Sequence, residues 1–309
     1  MRLIPGLSRN RVSAVVVAVA FGLAALCGPA GAQTASDASK GPVVAAAPAG
    51  TSQAADAVKA VATSAATIFS RVPCATPKTV KYEASLPHAA HKLIAEGRLT
   101  IVAFGSSSTW SYGASSPTFR YPNWLADQLR HHYPHADITV INAGVGGEDV
   151  IEEMKRLQTS VIDNKPDLVI WQLGTNAILK GRDPENAMGL IEDGIRQMQA
   201  IGTDVVLVDP QYVPATEAHE AETTKMVSLI GRAARAMRVS LFPRFAVMKE
   251  WHTTQALPFD VFVIRDGLHM NDWGYACFAQ LLGDSIIRSV DQVKAGLEDS
   301  SSPPSWQPM

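Results

Sequence analysis

Four short stretches of this chain hold the residue types that serine-dependent acyl transfer requires. Gly105-Ser106-Ser107-Ser108 offers hydroxyls straight after an apolar run, and Asn142-Ala143-Gly144-Val145-Gly146-Gly147 is a glycine-rich turn after a second such run. Gly174-Thr175-Asn176 ends a third, and Asp266-Gly267-Leu268-His269 sets a carboxylate three residues before an imidazole. A serine hydroxyl is a weak nucleophile at neutral pH. It needs a base within hydrogen-bond reach, a group that orients the base, and donors for the oxyanion formed on attack. Serine, histidine, aspartate, a glycine turn and an asparagine amide are that set of parts. Spacing alone does not separate the three serines. Each block also has a bland reading: a helix-capping serine or asparagine, a plain turn, a structural histidine.

The elements that must position these blocks alternate strand and helix. Apolar-rich runs at 100–104, 137–142, 167–173 and 204–209, with a shorter one at 239–242, most of them continuous, read as buried parallel strands. Helical patterns fall between them, at 88–96, 122–132, from Val150 with a stripe through Met154 and Leu157, at 183–202, 218–237, 244–251, and from Asn271 to about Val290. That alternation predicts an α/β fold, a five-stranded, mostly parallel sheet with helices on both faces. In such sheets ligands meet the carboxyl ends of the strands. The first three blocks fall at those ends. No internal repeat is present.

With these four blocks, in this order, over roughly residues 100–290, the chain resembles the SGNH or GDSL hydrolase family. The resemblance implies a flavodoxin-like three-layer α/β/α sandwich. It places the nucleophile at Ser107, the orienting carboxylate at Asp266 and the base at His269. It places the oxyanion hole at the backbone N–H groups of Ser107 and Gly147 and the side-chain amide of Asn176. The implied activity is carboxylic ester hydrolysis through an acyl-enzyme intermediate, with no metal and no cofactor. Related readings are a carbohydrate O-acetylesterase or an O-acyltransferase acting on envelope or extracellular glycans. A reading of another class is a non-catalytic glycan-binding module on the same fold. The chain departs from the family pattern at Ser106, where an aspartate is usual, at Ser108, where a leucine is usual, and at Ala177, where an aspartate often follows the asparagine. None of these supplies a triad atom, so catalysis is expected to survive alanine at 106 or 108.

Competing chemistries fit less well. Gly144-x-Gly146-x-x-Asp149 lacks the third glycine of a dinucleotide fingerprint and follows the second strand. No G-x-S-x-G elbow is present. His131, His132 and His135 surround a helix end beside Pro134 without an evident fourth ligand, and His88 and His91 share a helix. Trp110, Tyr112, Phe119, Tyr121 and Trp124 crowd the segment after the serines, either lining a cleft or packing the core.

Residues 1–32 read as a secretory leader: Arg2, Arg9 and Arg11, an apolar run from Val12 to Cys27, then Ala30-Gly31-Ala32. Residues 33–72, rich in Ala, Ser, Thr and Pro, read as a disordered linker, 73–295 as the hydrolase domain, and 296–309 as a disordered tail. The expected location is periplasmic or secreted, with no stable membrane span after leader cleavage. Lys and Arg number 27 and Asp and Glu 29. Losing three arginines with the leader makes the balance more acidic, so no basic patch points to nucleic acid. The expected partner is a small ester or an acylated glycan. Export leaves Cys74 and Cys277. An oxidising compartment permits them to pair. Closing a loop of about 200 residues would contribute about 4–5 kcal/mol in the chain-entropy model; two unpaired thiols are the alternative.

Overall fold

Strands form where the apolar runs carry β-branched residues, and helices where apolar positions recur every three to four. The computed structural model describes residues 70–301. The expected leader, the expected linker up to residue 69 and the expected tail from 302 lie outside the described residues. Five strands, β1 (Arg98–Gly105), β2 (Asp137–Gly144), β3 (Leu168–Gln172), β4 (Asp204–Val208) and β5 (Ser240–Phe242), form one sheet in the order β2-β1-β3-β4-β5. Every pairing is parallel. This is the doubly wound, flavodoxin-like order. The register sets Gly105 beside Gly144 and Phe104 beside Trp171, so the ends of the first three strands are flush.

Among the described residues, eleven α-helices follow in chain order. They are α1 (Pro87–Glu96), α2 (Ser107–Trp110), α3 (Tyr121–His132), α4 (Val150–Lys155), α5 (Leu157–Ser160), α6 (Thr175–Leu179), α7 (Glu185–Ala200), α8 (Pro214–Glu217), α9 (Glu220–Met237), α10 (Arg244–Lys249) and α11 (Asp272–Ser301). The two-residue period of a strand sends its side chains to opposite faces. Ile101, Ala103, Leu168 and Ile170 accordingly pack with α1, α3 and α11, including Leu93, Leu125 and Leu282. Val102, Phe104, Val169 and Trp171 pack with α7 and α9, including Ile195 and Leu229. Both faces of the central strands β1 and β3 are therefore dry, which explains why these two lack polar alternation, whereas the edge strand β2 leaves Asp137 and Thr139 exposed around buried Ile138.

Several boundaries differ from the sequence pattern. The helix after β2 breaks at Arg156, whose side chain is used at the strand ends instead. The helix expected from Ala218 begins at Glu220 as α9, and a separate turn, α8, precedes it at Pro214–Glu217. Past α10, a π-helical turn over Glu250–Thr254 aims both Glu250 and Trp251 inward. Glu250 accepts from the Thr79 backbone N–H at 3.1 Å, and Trp251 donates to the Ala75 carbonyl at 2.6 Å, anchoring the first described segment. That segment is tied down as early as Arg71, which pairs with Asp284 at 2.7 Å, and Val72, which donates to Gln280 at 2.9 Å. Cys74 and Cys277 are disulfide-bonded, with Cα atoms 5.4 Å apart. The last helix runs to Ser301 rather than stopping near Val290, so the start of the expected disordered tail is helical. Residues 291–301 lack proline, and Val293 still packs on the core.

One carboxyl under the sheet gives the domain a pH signature. Glu153 on α4 is buried and accepts from Trp171 Nε1 at 2.8 Å. Burial raises its pKa to about 8, outweighing the Trp171 hydrogen bond and the Arg156 charge. An ordinary carboxyl in the unfolded chain ionises near 4.5. Between these values the folded state holds a proton that the unfolded state has lost, so stability falls as pH rises. Glu153→Gln removes that ionisation and keeps an acceptor for Trp171. Chemical denaturation is expected to show the variant gaining on wild type by roughly 2–4 kcal/mol between pH 5 and pH 8. A difference independent of pH would contradict the assignment.

Candidate active site

The β1 strand ends at Gly105, and the chain turns at once into the four-residue helix α2. Successive residues on a helix point about 100° apart, so three adjacent serines cannot serve one purpose. Ser106 faces the sheet. Its backbone N–H and hydroxyl both donate to Gln172 Oε1, at 3.0 and 2.9 Å, and Thr109 Oγ1 donates to the same oxygen at 3.3 Å. Ser108 faces β4 and donates to Gln211 Oε1 at 2.7 Å. Ser107 lies 2.8 Å from His269 Nε2 through its Oγ. The turn singles out the middle serine.

His269 lies on the loop that leads into α11. Its Nδ1 is 2.7 Å from Asp266 Oδ2, while Asp266 Oδ1 accepts the backbone N–H groups of Leu268 and His269, each at 2.9 Å. Burial pushes the Asp266 carboxyl up. The His269 N–H and imidazole and the Leu268 N–H outweigh that, and the carboxyl sits below its ordinary value. The ionised form is thus the one built for. The same bonds fix the carboxylate so that it holds the imidazole with a proton on Nδ1 and Nε2 towards Ser107.

The glycine turn follows β2 and is tied to the serine turn by the Val145 N–H, which donates to the Gly105 carbonyl at 3.0 Å. Gly147 has φ of +79°, a conformation open mainly to glycine, and a Cβ there would meet nothing within 4 Å. Asn176 Nδ2 donates to the carbonyl of Glu148, the next residue, at 2.8 Å. This bond sets the amide beside Gly147 with its second N–H to spare. Ala177, the residue after Asn176, is buried. Ser107 opens α2, where backbone N–H groups have no intrahelical partner.

Three residues that matter to this geometry carry no sequence signature. Gln172 holds the serine turn to β3. Gln211 reaches α2 from the segment after β4. Arg156 donates to the carbonyls of Ala143 and Gly105, both at 2.9 Å, and pairs with Glu148 at 2.6 Å. It thereby staples the ends of β1 and β2 to the glycine turn. Side-chain bonds of this kind join residues far apart in the chain and leave no periodicity to read.

The aromatic cluster divides. Tyr121 is core and Trp124 packs against it. Trp110 (43% exposed) and Tyr112 (58%) are open to solvent beside the serine. The Tyr112 ring lies 4.7 Å from that of His269, and the Arg120 guanidinium stacks 3.8 Å over Trp110. Among the described residues, no group of three or more His, Cys, Asp or Glu is placed to hold a metal ion. His88 instead lies 3.5 Å from Asp167.

A flavodoxin-ordered sheet with a serine, a histidine and an aspartate in one hydrogen-bonded row at its carboxyl edge is the arrangement of an SGNH-type carboxylic ester hydrolase. The chain belongs to the Non-GDSL lipase-like family, whose model matches residues 73–292. It is similar to an arylesterase of Vibrio mimicus, 23% identical over 176 residues that cover 54% of this chain and 78% of the relative. Among solved structures it resembles an acetylxylan esterase from Geobacillus stearothermophilus, with a TM-score of 0.53, 17% identity, and coverage of 62% of this chain and 94% of that one. Catalytic mutants of that enzyme replace a serine, an aspartate and a histidine, the last two three positions apart. A two-domain esterase active on acetylated mannans gives a TM-score of 0.56 at 21% identity, over 74% of this chain and 58% of that one.

Proposed function

We propose that this protein hydrolyses carboxylic esters with Ser107 as nucleophile. The observation that carries the reading is the unbroken row Ser107–His269–Asp266, with contacts of 2.8 and 2.7 Å. His269 Nε2 takes the Ser107 proton as Oγ bonds to the ester carbonyl carbon. The carbonyl electrons move onto oxygen, where the N–H groups of Ser107 and Gly147 and the Asn176 amide receive them. Asp266 holds the imidazolium. On collapse the alcohol leaves with the His269 proton. Water, deprotonated by His269, then attacks the acyl-serine and releases the acid. A fluorophosphonate probe tests this directly: it is expected to label wild-type protein at Ser107 and to leave Ser107→Ala unlabelled. A folded wild-type protein that does not label would instead be a binding module.

A second, narrower reading concerns the substrate. Exposed Trp110 and Tyr112 beside the nucleophile suit stacking against sugar rings, and structural neighbours act on acetylated xylan and mannan. On this reading the ester is an acetyl group on a glycan. Losing a stacking ring costs about 0.5–1.5 kcal/mol, so Trp110→Ala is expected to raise KM for an acetylated xylo-oligosaccharide about 3- to 10-fold. Its turnover of p-nitrophenyl acetate should change less than about twofold, because that ester engages no sugar subsite. Parallel loss on both esters would count against a glycan subsite. A leader at 1–32 and a pair of cysteines suited to an oxidising compartment favour a periplasmic or secreted location. Among the described residues no helix is long and apolar enough to cross a membrane.

A further inference from the structure

The catalytic row joins two parts of the chain that have little stiffness of their own. α2, which carries Ser107, is a single turn of four residues, and so short a helix is not stable by itself. His269 sits on an irregular loop. Yet the Ser107–His269 distance must be held to a fraction of an ångström for proton transfer. Among the described residues, Gln211 is the one side chain that hydrogen-bonds to both parts without touching the row. It is 1% exposed. Its Oε1 accepts from Ser108 Oγ at 2.7 Å, and its Nε2 donates to the Leu268 carbonyl at 2.5 Å. Ser108 is the residue after the nucleophile, and Leu268 is the residue before the base. The backbone under Gln211 is itself clamped. Thr216 Oγ1 donates to the Gln211 carbonyl at 2.8 Å, and buried Arg244 Nε donates to the Asp209 carbonyl at 3.1 Å.

We propose that Gln211 is a positioning residue: a buried amide brace that sets the Ser107–His269 distance by tying Ser108 to Leu268. The inference rests on Ser107 and His269 being nucleophile and base. Gln211→Met keeps length and shape and removes both hydrogen bonds. On a p-nitrophenyl ester, assayed well below its unfolding midpoint, it is expected to lower kcat about 10- to 30-fold with KM within about twofold, since loosening by up to 1 Å costs as much as about 10²-fold. Ser108→Ala, which removes one end of the brace, should cost about 3- to 10-fold. The double variant should be no slower than Gln211→Met, because partners in one network do not add.

A packing role alone would shift the unfolding midpoint and leave the kcat of folded protein unchanged. A Gln211→Met variant that keeps kcat within about twofold therefore overturns the brace, as do multiplicative losses in the double variant. Should Gln211→Met fail to fold, Ser108→Ala carries the test: wild-type kcat and probe-labelling rate in that variant overturn the proposal. Ser107→Ala separates the two levels. If it retains turnover, the reading of the site fails and the brace with it. If it is inactive while Gln211→Met is unchanged, only the brace fails.

Discussion

Ser107→Ala is expected to lower kcat on a short-chain ester by roughly 10⁴-fold or more, the scale on which removal of a serine nucleophile acts elsewhere. The neighbouring serines make the comparison sharp. Ser106→Ala leaves Gln172 Oε1 its other two donors, the Ser106 N–H and Thr109, so the turn should hold and most turnover persist. Ser108→Ala loses only the brace. Three hydroxyls within three residues thus differ by orders of magnitude because each points a different way, not because their chemistry differs. Retention of more than about 1% of activity in Ser107→Ala would be incompatible with the proposed mechanism.

Gly144→Ala should be the most damaging change of a single methyl at this edge. A Cβ there would lie 2.1 Å from the Trp110 backbone nitrogen, 2.7 Å from the Thr109 carbonyl carbon and 2.8 Å from Trp110 Cα. Comfortable contacts need about 3.5–4.0 Å, and these neighbours are backbone that cannot swing aside. α2 would have to move by more than about 1 Å, carrying Ser107 with it. Overpacking of this kind costs about 1–3 kcal/mol or more, and a displacement of that size costs about 10²-fold in rate. Denaturant titration and kcat/KM measured together should show both losses. Gly146→Ala, where a Cβ meets nothing within 4 Å, is the matched control. Equal behaviour of the two variants would contradict this close packing of α2 on β2.

The sequence by itself determined the chemistry on offer and the class of fold. Buried parallel strands need long apolar runs, helices need a 3.6-residue stripe, and oxyanion chemistry draws on few residue types, so each signal is local to a short stretch of chain. Asp266 and His269 were legible as a pair because three residues of one turn join them. Only the tertiary structure decided which serine is aimed at that pair. The direction of a hydroxyl depends on how α2 leaves β1, and that is set by Gln172 and Gln211, 66 and 103 residues from their serine partners. Strand order was implied by the family resemblance and not by the apolar pattern, since the β1–β3 neighbourhood is a choice made by packing. The stretch from Gly105 to Ser108 thus names a reaction when read alone. Its geometry comes from buried amides and Arg156, whose bonds across the fold leave no trace in the order of residues.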